Sequence, residues 1–310
     1  MSNARQPQRE TGQRSYSAGS HSHVPHGSRE ISPQDTAEKM AQLLQAFPCL
    51  GHYANKKSTV ISAYPAALGI GGASTFVDTY LRPSTMIRAF RRAVLDGDKV
   101  IFAAQPLVGA DLLLKYCDHQ YAFPKELLWA TGGYYFPKSL ETFITRVLAS
   151  RGCKSQILHC YGAAEVGHTC FAAIDRFENG QPRFKKIDDR VSVHGTNSST
   201  DGRLILKSNG AEAKTGDWIS RVDNWWKITS NRIADEVCDT LESWSDYDWS
   251  RRTGYLHATQ NPRTAEIVFT FQLRDSIRQG NDRDLRFHEF WQEFGGDLTS
   301  KPVWSITDDQ

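Results

Sequence analysis

Residues 156–169 read QILHCYGAAEVGHT. The first half has the composition of a buried strand. It stops abruptly at Tyr161-Gly162, and two alanines and a lone carboxylate, Glu165, follow. Such a stretch is either a tight turn with a capping acid or the carboxyl end of a strand in an open α/β sheet. At that edge of a sheet, loops and helix N-termini collect and ligands bind. The flanking segments choose between the two.

Upstream, after Pro137, Leu140, Phe143, Ile144, Val147 and Leu148 share one helical face. Before that helix, LLWAT (127–131) reads as a strand ending on Gly132-Gly133. The alternation continues backwards through a helix at LVGADLLLKY (107–116) and a strand at KVIFAA (99–104). Before these come a helical region carrying Phe76, Tyr80, Met86, Phe90 and Val94, and a strand at TVISAY (59–64). Ser32-Pro33-Gln34-Asp35 has the form of a helix start, and Met40, Leu43, Leu44 and Phe47 continue it as one apolar stripe. Buried strands alternating with amphipathic helices predict a mainly parallel sheet covered by helices, an α/β fold over 32–170. After Cys170 the runs RFKKI, VSVHG, RLILKS and WWKIT are short and separated by Gly, Asn and Asp. They predict a β-rich, barrel-like subdomain over 171–230. Residues 231–310 read as a small α+β domain, with helices at 233–243 and 284–294 and a strand at EIVFTFQL (266–273). Residues 1–31 are polar and read as a flexible segment.

Composition narrows the function. The chain has 310 residues, 39% hydrophobic and 23% charged, with a net charge of +2. That charge is too small to predict a nucleic-acid or anionic-membrane partner, and no run approaches the roughly 18 apolar residues of a membrane span. The six cysteines (49, 117, 153, 160, 170 and 238) form no C-x-x-C pair. They read as reduced thiols of a cytoplasmic protein without a zinc site. Cys160, beside His159, has the look of a nucleophile, but neighbours on a strand point to opposite faces, which makes Cys160 a core residue.

Gly132-Gly133 and Tyr161-Gly162 end successive strands and so fall at one rim. Glycine admits close backbone approach, Tyr161 can stack on a planar ring, and Glu165 can hold a cation or bond a polar group. Further on, Thr215-Gly216-Asp217 reads as a turn whose aspartate suits a ribose diol.

In this order ATGGYYFP, CYGAAEVG, GRLILKS…TGDW and WWKITSNRIADEV resemble the motifs of the adenylate-forming superfamily: acyl- and aryl-CoA synthetases, peptide-synthetase adenylation domains and acyl-protein synthetases. The resemblance covers about residues 55–275. It implies Gly132 and Gly133 beside an adenine and Tyr161 stacked on it, with Gly162 next to it. Glu165 would be the catalytic acid facing Mg²⁺, Asp217 would lie on the ribose, and Arg232 and Asp235 at a hinge. It implies a hydrophobic or aryl acid pocket lined from 64–76 and 129–135 (Tyr64, Ile70, Phe76, Trp129, Tyr134, Tyr135). SAGSHSHVPHGS (17–28) resembles a worn phosphate loop with Ser17, Gly19 and Ser20 as its phosphate contacts; its other reading is a tail with no ligand.

The implied activity uses ATP and Mg²⁺ to activate a carboxylic acid and passes the acyl group to CoA, a carrier-protein thiol or an amine. The chain departs from the family at Ala164, where threonine is usual, at Asn231 for glycine and at His26 for lysine. It also reads as lacking an N-terminal subdomain, and after Lys227 its sole lysine is Lys301. The alternative expectation is therefore a non-catalytic or half-reaction subunit that binds an adenylate or acyl group beside a partner subunit.

Overall fold

The alternation of strands and helices is realised as a seven-stranded sheet with helices on both faces. The structure is a computed structural model. It describes residues 13–16, 28–31, 33–54, 58–63, 75–79, 83–97, 99–133, 136–163, 165–166, 169–208, 210–229, 254–260, 267–273 and 303–308.

β1 (Gln13–Tyr16) and β2 (Ser28–Ile31) pair antiparallel, and α1 (Pro33–Ala46) follows. Its start at Pro33 is the one the sequence specifies, since proline at the first helical position forfeits no hydrogen bond. Then come β3 (Ser58–Ala63), β4 (Thr75–Asp78), α2 (Pro83–Leu95), β5 (Lys99–Ala104), α3 (Pro106–Asp118), β6 (Glu126–Thr131), α4 (Lys138–Ser150) and β7 (Lys154–Tyr161). The order β4-β3-β5-β6-β7 is parallel throughout. β8 (Phe171–Ala173) and β9 (Lys185–Lys186) extend the sheet antiparallel beyond β7. Phe76 was expected in a helix and lies instead in β4, in register with Val60. The alternation Thr75-Phe76-Val77 suits an edge strand, and the helix begins only at Pro83.

The pleat sorts the core. Val100, Phe102 and Ala104 of β5 face α2, α3 and α4 together with Trp129 and Ile157. Ile101, Leu128 and Leu158 face the other way, onto Phe47, Leu50 and Tyr53 after α1. Trp129 is fully buried. Its Nε1–H donates to the Ala104 carbonyl at 3.0 Å, and its ring meets Phe136 edge-on at 4.8 Å between centroids. α3 crosses it at Gly109, where a Cβ would lie 2.2 Å from the indole. Trp129 is therefore packed in the core under α3, at the end of β5, with no exposed surface to offer an acyl pocket.

β10 (Ser192–His194), β11 (Asp201–Ser208), β12 (Ala211–Val222) and β13 (Trp225–Thr229) form an antiparallel sheet in that order. Its inner residues Leu204, Leu206, Ala213, Ile219 and Ile228 share a core with Tyr161, Val166, Phe171 and Phe184, so this sheet packs over the carboxyl end of β7. Phe184 and Trp226 exchange backbone hydrogen bonds of 3.0 and 2.9 Å across the junction. β14 (Gly254–Gln260), β15 (Ile267–Leu273) and β16 (Val303–Asp308) form a separate three-stranded sheet, with β15 at the strand expected from EIVFTFQL. The helices expected at 233–243 and 284–294 lie outside the described residues.

Candidate functional site

The parallel strands β5, β6 and β7 end side by side at Ala104, Thr131 and Tyr161. Gln105, Gly132-Gly133 and Gly162 extend from these ends, so the two glycine loops share one rim, as the sequence implied. Gly133 has φ +91°, and a Cβ there would stand 2.9 Å from Gln105 Nε2. The positive φ is the reason for glycine at 133, and a side chain there would also have to displace the Gln105 amide.

The inner face of β12 delivers Asp217 to the same place. Asp217 is fully buried, and Tyr161, 56 residues away in the chain, is 5% exposed. The Tyr161 hydroxyl donates to Asp217 Oδ2. The Tyr161 ring is held edge-on by Phe171 and Phe184, with centroids 6.1 and 6.2 Å away. Thr215-Gly216-Asp217, expected as a turn between strands, lies within β12. Gly216 at φ +78° and a register shift opposite Arg203–Ile205 make it a bulge in a continuous strand. Thr215 Oγ1 spans the irregularity. It donates to the Leu204 carbonyl at 3.3 Å and accepts the Asp217 N–H at 3.2 Å.

Glu165 lies in the short turn after β7 and is partly exposed. Among the described residues no group of three or more His, Cys, Asp or Glu could hold a metal ion by itself. A single carboxylate of this kind fits Mg²⁺, which usually takes one or two protein carboxylates and completes its shell with water and substrate phosphates. Ser17, Gly19, Ser20, Arg232 and Asp235 lie outside the described residues, as do Tyr64, Ile70, Tyr134 and Tyr135. Cys160 is partly buried and packs against the core: burial pushes its thiol up to about 12, far from a nucleophile's range.

The structure adds a cluster that motif reading missed. His159, 3% exposed, lies two residues before Tyr161 on the same side of β7. Its Nε2 faces Glu141 Oε2 at 3.6 Å. Arg176 reaches the same carboxylate oxygen through Nε at 2.9 Å and through Nη2. Nη2 also donates to the Phe136 carbonyl at 2.8 Å, and Nη1 to the Gly180 carbonyl at 2.6 Å. Arg176 thereby fastens the exit of the Gly132-Gly133 loop and the first turn of α4 to the segment after β8. His159 Nδ1 and Thr131 Oγ1, on register partners at the strand ends, are both buried without a hydrogen-bond partner among the described residues. The available signal was a histidine in an otherwise apolar run, at even spacing from Tyr161.

Burial holds the His159 imidazole below its ordinary 6.5, against the opposing pull of Glu141. Burial pushes the Glu141 carboxyl up, but the His159 hydrogen bond and the Arg176 charge more than offset it and hold it below 4.5. The signs agree. The unfolded chain takes up protons that the folded chain refuses, so stability falls as pH drops below about 6.5 for His159, and again below about 4.5 for Glu141. In urea titrations across pH 5–8, His159→Gln is expected to flatten the first of these losses.

No protein-family model matches the chain, and no curated protein matches it. Solved structures do. A 2-hydroxyisobutyryl-CoA ligase in its postadenylation state, in complex with R3-HIB-AMP, superposes with TM-score 0.55 at 11% identity, over 91% of this chain and 68% of that one. A phenylalanyl-adenylate complex of McyG A-PCP gives TM-score 0.56 at 11% identity, over 94% and 61%. The chain has the adenylate-forming fold. A benzoate CoA ligase from Burkholderia xenovorans LB400 adds TM-score 0.52 at 13% identity, over 92% of this chain and 63% of that one. The chain thus spans between 61% and 68% of the lengths of these adenylate-forming structures. Among the described residues no helix is long and apolar enough to cross a membrane.

Proposed function

We propose that the rim formed by Gly132-Gly133, Tyr161 and Asp217 binds an adenine nucleotide, and that the protein is an adenylate-forming ligase acting on a carboxylic acid. The supporting observation is the convergence of Tyr161 and Asp217, 56 residues apart in the chain, beside the glycine loop. An aromatic ring for the base and a carboxylate for the ribose diol are what an adenosine half requires. Structures of the same fold, solved with an acyl- or aminoacyl-adenylate, support the same reading. In the implied reaction a carboxylate oxygen forms a bond to the α-phosphorus of ATP, and the bond to pyrophosphate breaks. The acyl group of the acyl-adenylate then passes to a thiol of CoA or a carrier protein, or to an amine: the new acyl–sulfur or acyl–nitrogen bond forms as the bond to the phosphate breaks, and AMP and a proton leave.

Mg²⁺, when bound with the nucleotide, would supply charge neutralisation on the phosphates, and Glu165 is the residue to hold it. Asp217 orients the ribose. Gly132 and Gly133 leave room for the base, and Arg176 and Glu141 keep their loop in position. Ser17, Gly19, Ser20 and Arg232 are assigned to phosphate and hinge contacts on sequence resemblance alone. One observation favours a second reading, an adenylate- or acyl-binding subunit without turnover: Ala164 removes a hydroxyl next to Glu165.

The test is thermal unfolding with and without Mg-ATP or AMP. Ligand at 100 times its dissociation constant is expected to stabilise the fold by about 2.7 kcal/mol. A midpoint unchanged by either nucleotide contradicts the proposal. Stabilisation by nucleotide with no pyrophosphate release across a panel of acids favours the second reading.

A further inference from the structure

The carboxylate that would receive a ribose diol already has a hydroxyl on it, and the chain supplies that hydroxyl itself. Asp217 is fully buried and its Oδ2 accepts the Tyr161 O–H. We propose that Tyr161 is a latch: in the nucleotide-free protein its hydroxyl occupies Asp217, and it must let go before a ribose diol can bind there. The proposal rests on the nucleotide reading of this rim and adds its regulation.

The geometry identifies the part that moves. Asp217 is held by its own strand, with its N–H on Thr215 Oγ1 at 3.2 Å and Thr215 Oγ1 on the Leu204 carbonyl at 3.3 Å. The Tyr161 backbone is equally fixed, since its carbonyl accepts the Cys170 N–H at 2.8 Å and it pairs in register with Phe171. Release is therefore a rotation of the Tyr161 side chain, out of its edge-on contacts with Phe171 and Phe184. The same rotation that frees the carboxylate exposes the ring, which is 5% exposed in this structure. Opening the diol acceptor and presenting a stacking surface are thus one event. A site that must open first binds with an apparent affinity reduced by the fraction of molecules that are open.

Tyr161→Phe keeps the ring and deletes the latch. It removes the Tyr161 bond that the nucleotide would have to displace, so by isothermal titration calorimetry it is expected to bind Mg-ATP about 10-fold more tightly than the wild type. The gain belongs to the freed ring and carboxylate together, so Mg-2′,3′-dideoxy-ATP, which still needs the ring, is expected to gain as well.

Equal or weaker ATP binding by the variant overturns the latch, as does a gain with ATP that the dideoxy nucleotide does not share. If neither protein binds ATP, both the latch and the nucleotide reading fall. If the wild type binds and the variant gains nothing, the latch falls alone. Should Tyr161→Phe fail to fold by circular dichroism, a structure of the wild type with AMP decides. A Tyr161–Asp217 bond broken by the ribose supports the latch, and an intact bond with the diol on Asp217 overturns it.

Discussion

Trp129→Ala is expected to destabilise the protein by about 3–5 kcal/mol, a large share of the total for a domain of this kind. Three losses combine at this residue. The side chain is fully buried, so truncation opens a cavity the size of an indole between β6 and α3. Phe102 and Phe136 lose their ring contacts at 5.4 and 4.8 Å. The Ala104 carbonyl loses the 3.0 Å bond from Nε1, at the point where β5 turns into the rim through Gln105. Urea denaturation measures the effect as a fall in midpoint at constant slope. Trp129→Phe fills most of the cavity but cannot replace the hydrogen bond, so it is expected to recover more than half of the loss. A loss below about 1 kcal/mol for the alanine variant would mean that α3 does not seat on this residue.

The second large effect is expected at Glu141. Glu141→Ala leaves the Arg176 guanidinium, 15% exposed, without its carboxylate and removes the charge that faces His159 Nε2 at 3.6 Å. Removing one partner of a buried ion pair costs about 3–5 kcal/mol. Glu141 is 27% exposed, so solvent screening places this case near the low end, about 3 kcal/mol. The pair is separable from simple truncation by a double-mutant cycle. Arg176→Ala alone also frees the Phe136 carbonyl, and the double variant is expected to be less destabilised than the sum of the two single ones. Additivity within about 0.5 kcal/mol would show that the two side chains act independently. Both single variants are also expected to loosen the Gly132-Gly133 loop, visible as faster amide exchange at Gly132, Gly133 and Phe136.

The parallel strands could be read directly because each is a short apolar run bounded by an amphipathic helix, and both periods are properties of the local sequence. Val100-Ile101-Phe102 shows no alternation, as befits a strand buried on both faces. Phe76 misled because a short edge strand carries only one or two buried side chains, and Phe76 is also at helical spacing from Tyr80. Thr215-Gly216-Asp217 misled for a different reason. A glycine with positive φ serves a turn and a bulge equally, and only the pairing of β12 with β11 and β13, a long-range fact, separates them. The Tyr161 and Asp217 motifs could be singled out individually, but the bond between them could not. The cluster of Glu141, His159 and Arg176 joins a helix, a strand and the segment after β8, and no local pattern announces an ion pair between residues 35 positions apart.

The junction between the parallel sheet and the antiparallel sheet also sets an order of events during synthesis. The strands β3 to β7 and their helices are complete once the chain has passed Tyr161, whereas Asp217 must still be made and β11, β12 and β13 paired before it reaches that tyrosine. The Lys185 ammonium, which donates to the Ala46 carbonyl at 2.8 Å, bridges 139 positions of chain. Contacts of such separation carry the greatest loop-closure cost and form late. A chain emerging N-terminus first therefore has a stretch of translation during which the α/β core is folded while the apolar surface of Tyr161, Val166 and Phe171 waits uncovered. That interval is when a chaperone has most to bind.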